Sequence, residues 1–207
     1  MAQQPRRALI VIDVQNEYVN GNLPIEYPDI SVSLANVGRA MDASLASSIP
    51  VVVVQTLAPS GAPIFAAGTP GAELHEVVTS RPRDHYILKP LPGAFAGTDL
   101  AAWLAARAID TLTVVGFMTH NCDFSTIVEA VQSGLSVEFL SDASGSPCYE
   151  NRAGKASAEE LHRVFTVVMQ SRFAAVLTTI EWIAALKSGT LPARDTIYGS
   201  NLRATRG

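Results

Sequence analysis

Several features are scarce or missing in this 207-residue chain, and each absence removes a class of function. No apolar run approaches the roughly 20 residues needed to cross a bilayer, so no membrane-spanning role is expected. Lysine and arginine number 15 against 19 aspartates and glutamates, and no basic stripe gathers anywhere, so nucleic acid is not an expected partner. No glycine-rich phosphate loop follows an apolar run, which argues against a nucleotide-binding domain. Cysteine occurs only at Cys122 and Cys148, and the opening Met-Ala-Gln-Gln-Pro-Arg-Arg carries no signal-like segment. A cytoplasmic setting with both thiols free is therefore expected, rather than a disulfide framework. The four histidines, His75, His85, His120 and His162, show no ligand spacing, so no metal is expected. Charged residues make up only 16% of the chain and hydrophobic ones 48%, which excludes a disordered polymer and supplies enough apolar material for one domain.

Apolar runs alternate with helical periodicity along most of the length. Strands are expected at 8–14, 50–56, 85–88, 111–116, 136–141 and 173–178, and helices near 30–48, 98–108, 122–134, 157–170 and 179–187. Such alternation predicts an α/β fold, a three-layer α/β/α sandwich around a six-stranded, mainly parallel sheet. Residues 1–187 read as a single domain. Residues 188–207 read as a polar tail, either disordered or wrapped around a neighbouring subunit. The connection from Leu57 to Arg83 is long for a compact domain and is expected to shape a pocket.

Three residues stand at matching places in this pattern. The β-branched run Thr111–Val115 ends at Gly116, and the apolar spacing of Ile127, Val128, Val131 and Leu135 then starts a helix, which sets Cys122 near a helix amino terminus. There, unpaired amides and the helix dipole favour a thiolate. Asp13 interrupts the apolar run Ala8–Val14 near its carboxyl end, and Lys89 closes the short run Tyr86–Leu88. If the three strands are parallel neighbours, all three side chains meet at the carboxyl edge of one sheet. Taken singly, Cys122 also reads as a buried small hydrophobe, Asp13 as a turn residue and Lys89 as a solvated charge.

An early Ile-Asp-Val-Gln, then Gly68–Leu74, a lysine followed by Ala-Phe-Ala-Gly-Thr-Asp-Leu, Val-Val-Gly-Phe-Met-Thr-His-Asn-Cys with Ser-Thr after it, and Ser141-Asp142-Ala143 occur in that order. Together they resemble the isochorismatase-like cysteine hydrolases, over roughly Ala8 to Ala185. The resemblance implies Cys122 as nucleophile, Asp13 as general base and Lys89 as the neighbouring cation. It further implies a cis peptide bond at Phe117–Met118 and an oxyanion hole formed by the backbone amides of Met118 and Cys122. Cleavage of a small-molecule amide through a Cys thioester follows, without a cofactor, by a homodimer or homotetramer. A vinyl ether hydrolase of the isochorismatase type and a catalytically silent interaction protein remain as alternatives. The nicotinamidase branch carries Asp-x-His and further histidines after its second strand, whereas this chain has Gln55–Pro63 there, without histidine or carboxylate. Tyr18, Leu57, Phe95, Phe117 and His120 are the expected substrate contacts, with Phe65, Phe124 and Tyr149 as further aromatic candidates. Asp123 departs from the pattern, since an apolar residue usually follows the cysteine and a charge there would oppose a thiolate. Cys148, in a loop near the same mouth, reads as incidental.

Overall fold

A six-residue apolar strand, β1 (Arg7–Ile12), is buried along its whole length and lies inside the sheet. The computed structural model describes residues 4–206. β1 pairs in parallel with β2 (Val51–Thr56) on one side and β4 (Thr111–Phe117) on the other. β3 (His85–Lys89) pairs with β2, while β5 (Ser136–Gly145) pairs with β4 and β8 (Ala175–Leu177) with β5. The spatial order is thus β3-β2-β1-β4-β5-β8, and every pairing is parallel. The chain reverses direction across the sheet between β1 and β4, and open α/β folds place their crevice at such a switch, beyond the carboxyl ends of the strands.

Because neighbouring side chains on a strand face opposite ways, each central strand feeds two cores. Leu9, Val11, Val51, Val53 and Val115 pack with Leu34, Val37 and Met41 of α2 (Ile30–Ala46) and Trp182 of α7 (Thr179–Ser188). Ile10, Ile12, Val52, Val54 and Val114 pack with Leu100 and Leu104 of α4 (Leu100–Ala106) and Ile127 and Ala130 of α5 (Phe124–Gln132). Phe165 of α6 (Ala158–Val168) packs against this second core. The result is the three-layer α/β/α sandwich. Two short helices, α1 (Glu17–Asn20) and α3 (Glu76–Thr79), flank the long connection that follows β2. Ser157 and Thr178 each form a reciprocal capping box, with Glu160 and Glu181, which explains where α6 and α7 begin.

The structure differs from the sequence expectation in four places. The helix expected from residue 122 begins instead with a π-helical turn, Thr119–Asp123, that leads into α5. A second π-helical turn, Met169–Phe173, follows α6. β5 continues to Gly145 after a register shift opposite Val114 and Gly116, and the following residues form an antiparallel hairpin, β6 (Tyr149–Asn151) and β7 (Gly154–Ala156). The end of the chain contains a further helix, α8 (Ile197–Arg206), none of whose described residues is buried.

Gly116 sets the distance between β1 and β4 at the switch point. Its φ is +120°, a conformation that L side chains rarely adopt, and a Cβ on it would fall onto the Ile12 backbone. Only glycine lets the two strands close here, immediately before the turn that carries Cys122.

Candidate active site

Asp13 lies one residue beyond β1 with a φ of +50°, and its amide donates to the Val54 carbonyl. That brings the carboxyl to the sheet edge rather than into either core. Lys89 is the last residue of β3, two strands away, and its long side chain reaches back across the end of β2. Its Nζ lies 2.8 Å from Asp13 Oδ2 and donates to Cys122 Sγ at 3.3 Å and to the Leu91 carbonyl at 3.2 Å. Thr56 Oγ1, at the end of β2, donates to Asp13 Oδ2 at 3.2 Å. Four strand ends thereby converge on one buried cluster. The loop after Lys89 is tied to α5, because Thr126 Oγ1 accepts from the Ala94 amide and donates to the Cys122 carbonyl. The lysine and cysteine are therefore held by a common strut.

The electrostatics are those of a dry cluster sharing one cation. Burial pushes the Asp13 carboxyl above the usual carboxylate range, although Lys89, Cys122 and Thr56 pull against it. Burial alone would lower Lys89, yet the charges and hydrogen bonds of Asp13 and Cys122 outweigh it and hold the ammonium form. Burial, with Asp13 adding to it, pushes the Cys122 thiol up to about 12 against the pull of Lys89. In the resting protein the cysteine is accordingly a thiol facing an acceptor, not a standing thiolate. Helix placement alone favoured the anion; burial of the thiol, and then the carboxylate beside it, reverse that expectation.

The cluster opens into a cavity of about 420 Å³. Tyr18 and Leu57 line it, as do Asp13, Lys89, Met118 and Cys122. Three other expected contacts lie elsewhere. Phe95 packs against the core on the α4 and α5 side, its amide donating to Glu129. Phe117 is fully buried behind Tyr18, with ring centroids 5.5 Å apart. His120 is turned toward the β6 hairpin, where its Nδ1 meets Ser146 Oγ at 3.0 Å and its ring stands edge-on to Tyr149. Phe117 ends β4 and points into the core, His120 lies on the π-helical turn and Phe95 belongs to the loop after β3, and none of the three lines the cavity. Phe65 and Tyr149 do line the cavity, while Phe124 stacks with Phe165 and Phe173 instead. The remaining wall, Leu23, Ile64, Leu91, Pro90, Pro92, Thr56 and Asn121, went unforeseen. Leu23, Ile64 and Phe65 come from loops whose course no periodicity encodes. The Phe117–Met118 peptide bond, directly before the turn, is cis.

The pattern of the isochorismatase domain matches residues 7–181, which takes in every strand of the sheet and every residue of the cluster. The chain belongs to the isochorismatase family. A crystal structure from Burkholderia xenovorans LB400, provisionally named an isochorismatase, is 68% identical and superposes with a TM-score of 0.97 over 98% of both chains. The isochorismatase family protein YddQ of Bacillus subtilis is 30% identical over 83% of this chain and 96% of its own. The nicotinamidase/pyrazinamidase of Mycobacterium tuberculosis is 30% identical over 66% of this chain and 84% of its own. The family is one of hydrolases, and it includes amidases.

Around this family core, other residues act as braces. Gln15 is fully buried, donates to the Thr56 and Ala72 carbonyls and accepts from the Thr56 amide, so it pins the long connection to the end of β1. His75 caps α3, its Nδ1 accepting from the Val77 amide. Cys148 is exposed and free. Among the described residues, no three or more histidine, cysteine, aspartate and glutamate side chains are grouped to hold a metal ion. No described helix is long and apolar enough to cross a membrane.

Asp123, the odd residue of the turn, is fully buried and points away from the cavity. Ser144 Oγ donates to its Oδ2 at 2.6 Å, Thr119 Oγ1 lies 2.6 Å from Ser144 Oγ, and His162 Nδ1 lies 2.8 Å from Thr119 Oγ1. Nothing in the periodicity of α6 distinguishes His162 as part of this chain of contacts.

Proposed function

We propose that this isochorismatase-family hydrolase is a metal-independent cysteine amidase acting on a small neutral amide. The observation that carries the reading is the position of Lys89 Nζ, 2.8 Å from Asp13 Oδ2 and 3.3 Å from Cys122 Sγ, at the wall of the cavity. A carboxylate beside a thiol provides somewhere for the proton to go, and an ammonium held between them offsets the charge that develops on sulfur.

In the proposed sequence, Asp13 takes the proton of Cys122 as sulfur attacks the carboxamide carbon. The carbonyl π bond opens to a tetrahedral oxyanion, held by the amides of Met118 and Cys122. Asp13 then returns the proton to the departing nitrogen, the C–N bond breaks, and ammonia or an amine leaves behind a thioester. Water attacks that thioester with Asp13 again as base, releasing the carboxylic acid and the free thiol. The name of the mycobacterial relative, an amidase, supports this reading over ether cleavage.

The wall of the cavity supports a neutral substrate. Tyr18, Leu23, Leu57, Ile64, Phe65 and Leu91 supply an apolar surface, and among the described lining residues Lys89 is the only cation, already engaged by Asp13 and Cys122. Isochorismate carries two carboxylates, for which this wall has no free positive partner. The chain is proposed to work in the cytoplasm as a homodimer or homotetramer. A panel of small apolar primary amides, ureido acids and isochorismate, scored by ammonia and pyruvate release, tests the reading. Turnover confined to the neutral amides is expected, and pyruvate release from isochorismate would replace this reading by ether hydrolysis.

A further inference from the structure

The residue after the nucleophile is the least expected group in the site. Asp123 has no accessible surface, and it forms no ion pair among the described residues. Its Oδ2 has one neighbour, Ser144 Oγ, and its Oδ1 is buried without any partner. The cation nearest in the cluster, Lys89, is committed to Asp13 and Cys122. An isolated carboxylate so placed costs far more than a carboxylic acid, whose unpartnered carbonyl oxygen bears no full charge.

The contacts around Asp123 can be satisfied with the acid form. An O–H on Oδ2 donates to Ser144 Oγ, the Ser144 hydroxyl to Thr119 Oγ1, and the Thr119 hydroxyl to His162 Nδ1. That direction requires a neutral His162 with its proton on Nε2, and burial does push His162 down to about 4. It joins the π-helical turn, β5 and α6 through one run of short hydrogen bonds. The charged and titratable groups around Asp123 are Asp13 from the end of β1, Lys89 from β3, Tyr18 from α1 and His162 from α6, with Cys122 and His120 on its own turn.

We propose that Asp123 is a positioning residue that stands as a neutral carboxylic acid in the resting protein, its proton donated along Ser144 and Thr119 to His162, which leaves Asp13 as the one ionised carboxyl facing Lys89. Two carboxylates sharing a single ammonium would raise one another, and an acceptor for the Cys122 proton must be ionised before attack. Keeping Asp123 neutral assigns the charge to Asp13 and anchors the turn that aims Cys122. This role rests on the proposed amidase reading, whereas the protonation itself does not.

Carboxyl-¹³C NMR of aspartate-labelled protein tests both parts without any substrate. In the parent, one aspartate carboxyl is expected to titrate at about 7, far above an exposed aspartate at about 3.9, because of its burial. Asp123→Asn should delete that signal and leave the Asp13 midpoint in place, because a neutral amide replaces a neutral acid, whereas Asp13→Asn should lower the Asp123 midpoint by removing the carboxylate beside it. An Asp123 that stands as a carboxylate would instead, once replaced by Asn, let the Asp13 midpoint fall. Ser144→Ala removes the one hydroxyl that favours the carboxylate, so it should move the Asp123 midpoint upward, and it serves as the second variant if Asp123→Asn does not fold. An Asp123 carboxyl titrating in the ordinary range, an Asp13 midpoint that falls in Asp123→Asn, or a high Asp123 midpoint indifferent to Ser144→Ala would overturn the proposal. Failure of the amide panel with these titrations intact would instead remove the amidase reading alone.

Discussion

At the scale of single residues, the site is a problem of charge with little water. Asp13, Lys89 and Cys122 are each at least nine-tenths buried, and the ammonium is what makes the carboxylate tolerable there. Lys89→Met keeps the bulk of the side chain and removes its charge. It is expected to lower the unfolding free energy at neutral pH by about 3–5 kcal/mol, since it strands a buried carboxylate, and to slow turnover by at least about 100-fold. The sign of the pH effect follows from the direction of the Asp13 shift. A folded-state pKa already raised by burial rises further without Lys89, so stability is lost as pH climbs through it and is regained in acid, where Asp13 is protonated. Urea denaturation of parent and variant across this range measures it, and a penalty that grows toward acid would contradict the account. Much of the cluster was legible in the sequence, because Asp13 and Lys89 stand at the carboxyl ends of apolar runs and Cys122 follows another, at the start of a helical spacing. Asp123 was legible only as an anomaly. Its partners Ser144, Thr119 and His162 lie 21, 4 and 39 positions away on a strand, the same turn and a helix, and no spacing rule joins them.

At the scale of elements, the strands were readable and the turns were not. Apolar β-branched runs such as Val51–Val54 and Thr111–Val115 have one stable use, a buried parallel strand, so the sheet followed from composition and alternation. Whether Cys122 sits in the first turn of an α-helix or in a π-helical turn depends on hydrogen bonds that local sequence does not reveal, here Asp123 N to the Met118 carbonyl. The same limit turned His120, which lies on that turn, away from the pocket. Gly116 is the element-level constraint with the clearest consequence. Gly116→Ala adds a Cβ against the Ile12 backbone at a φ of +120°, and a cost of about 3 kcal/mol or more is expected. Since the displaced segment carries Cys122, activity should fall by more than stability alone accounts for, as judged by kcat measured well below the melting temperature. Retention of full kcat and stability would show that β1 and β4 can separate without moving the site.

At the scale of the whole molecule, two apolar cores hold a sheet whose carboxyl edge carries the chemistry, and the last helix stands apart from both. In α8, Ile197 and Tyr198 are 60% and 73% exposed, and the segment before it is held by Asp195 N to the Gln170 carbonyl and Gln170 Nε2 to the Ala193 carbonyl. Removing residues 190–207 should therefore change monomer stability by no more than about 1 kcal/mol. If the segment embraces another subunit, light scattering should show a smaller assembly with the fold intact; an unchanged mass would free the helix of that role. Family membership does not by itself fix the chemistry, so the central claim stands or falls on the nucleophile. Its most direct test follows turnover of a small neutral amide by the parent and by Cys122→Ser, with intact-protein mass spectrometry of the quenched parent reaction. The account predicts ammonia release by the parent, an acyl adduct on Cys122, and a loss of at least about 1000-fold in the serine variant. Full activity in that variant, or turnover with no adduct on Cys122 under conditions that preserve thioesters, would contradict it.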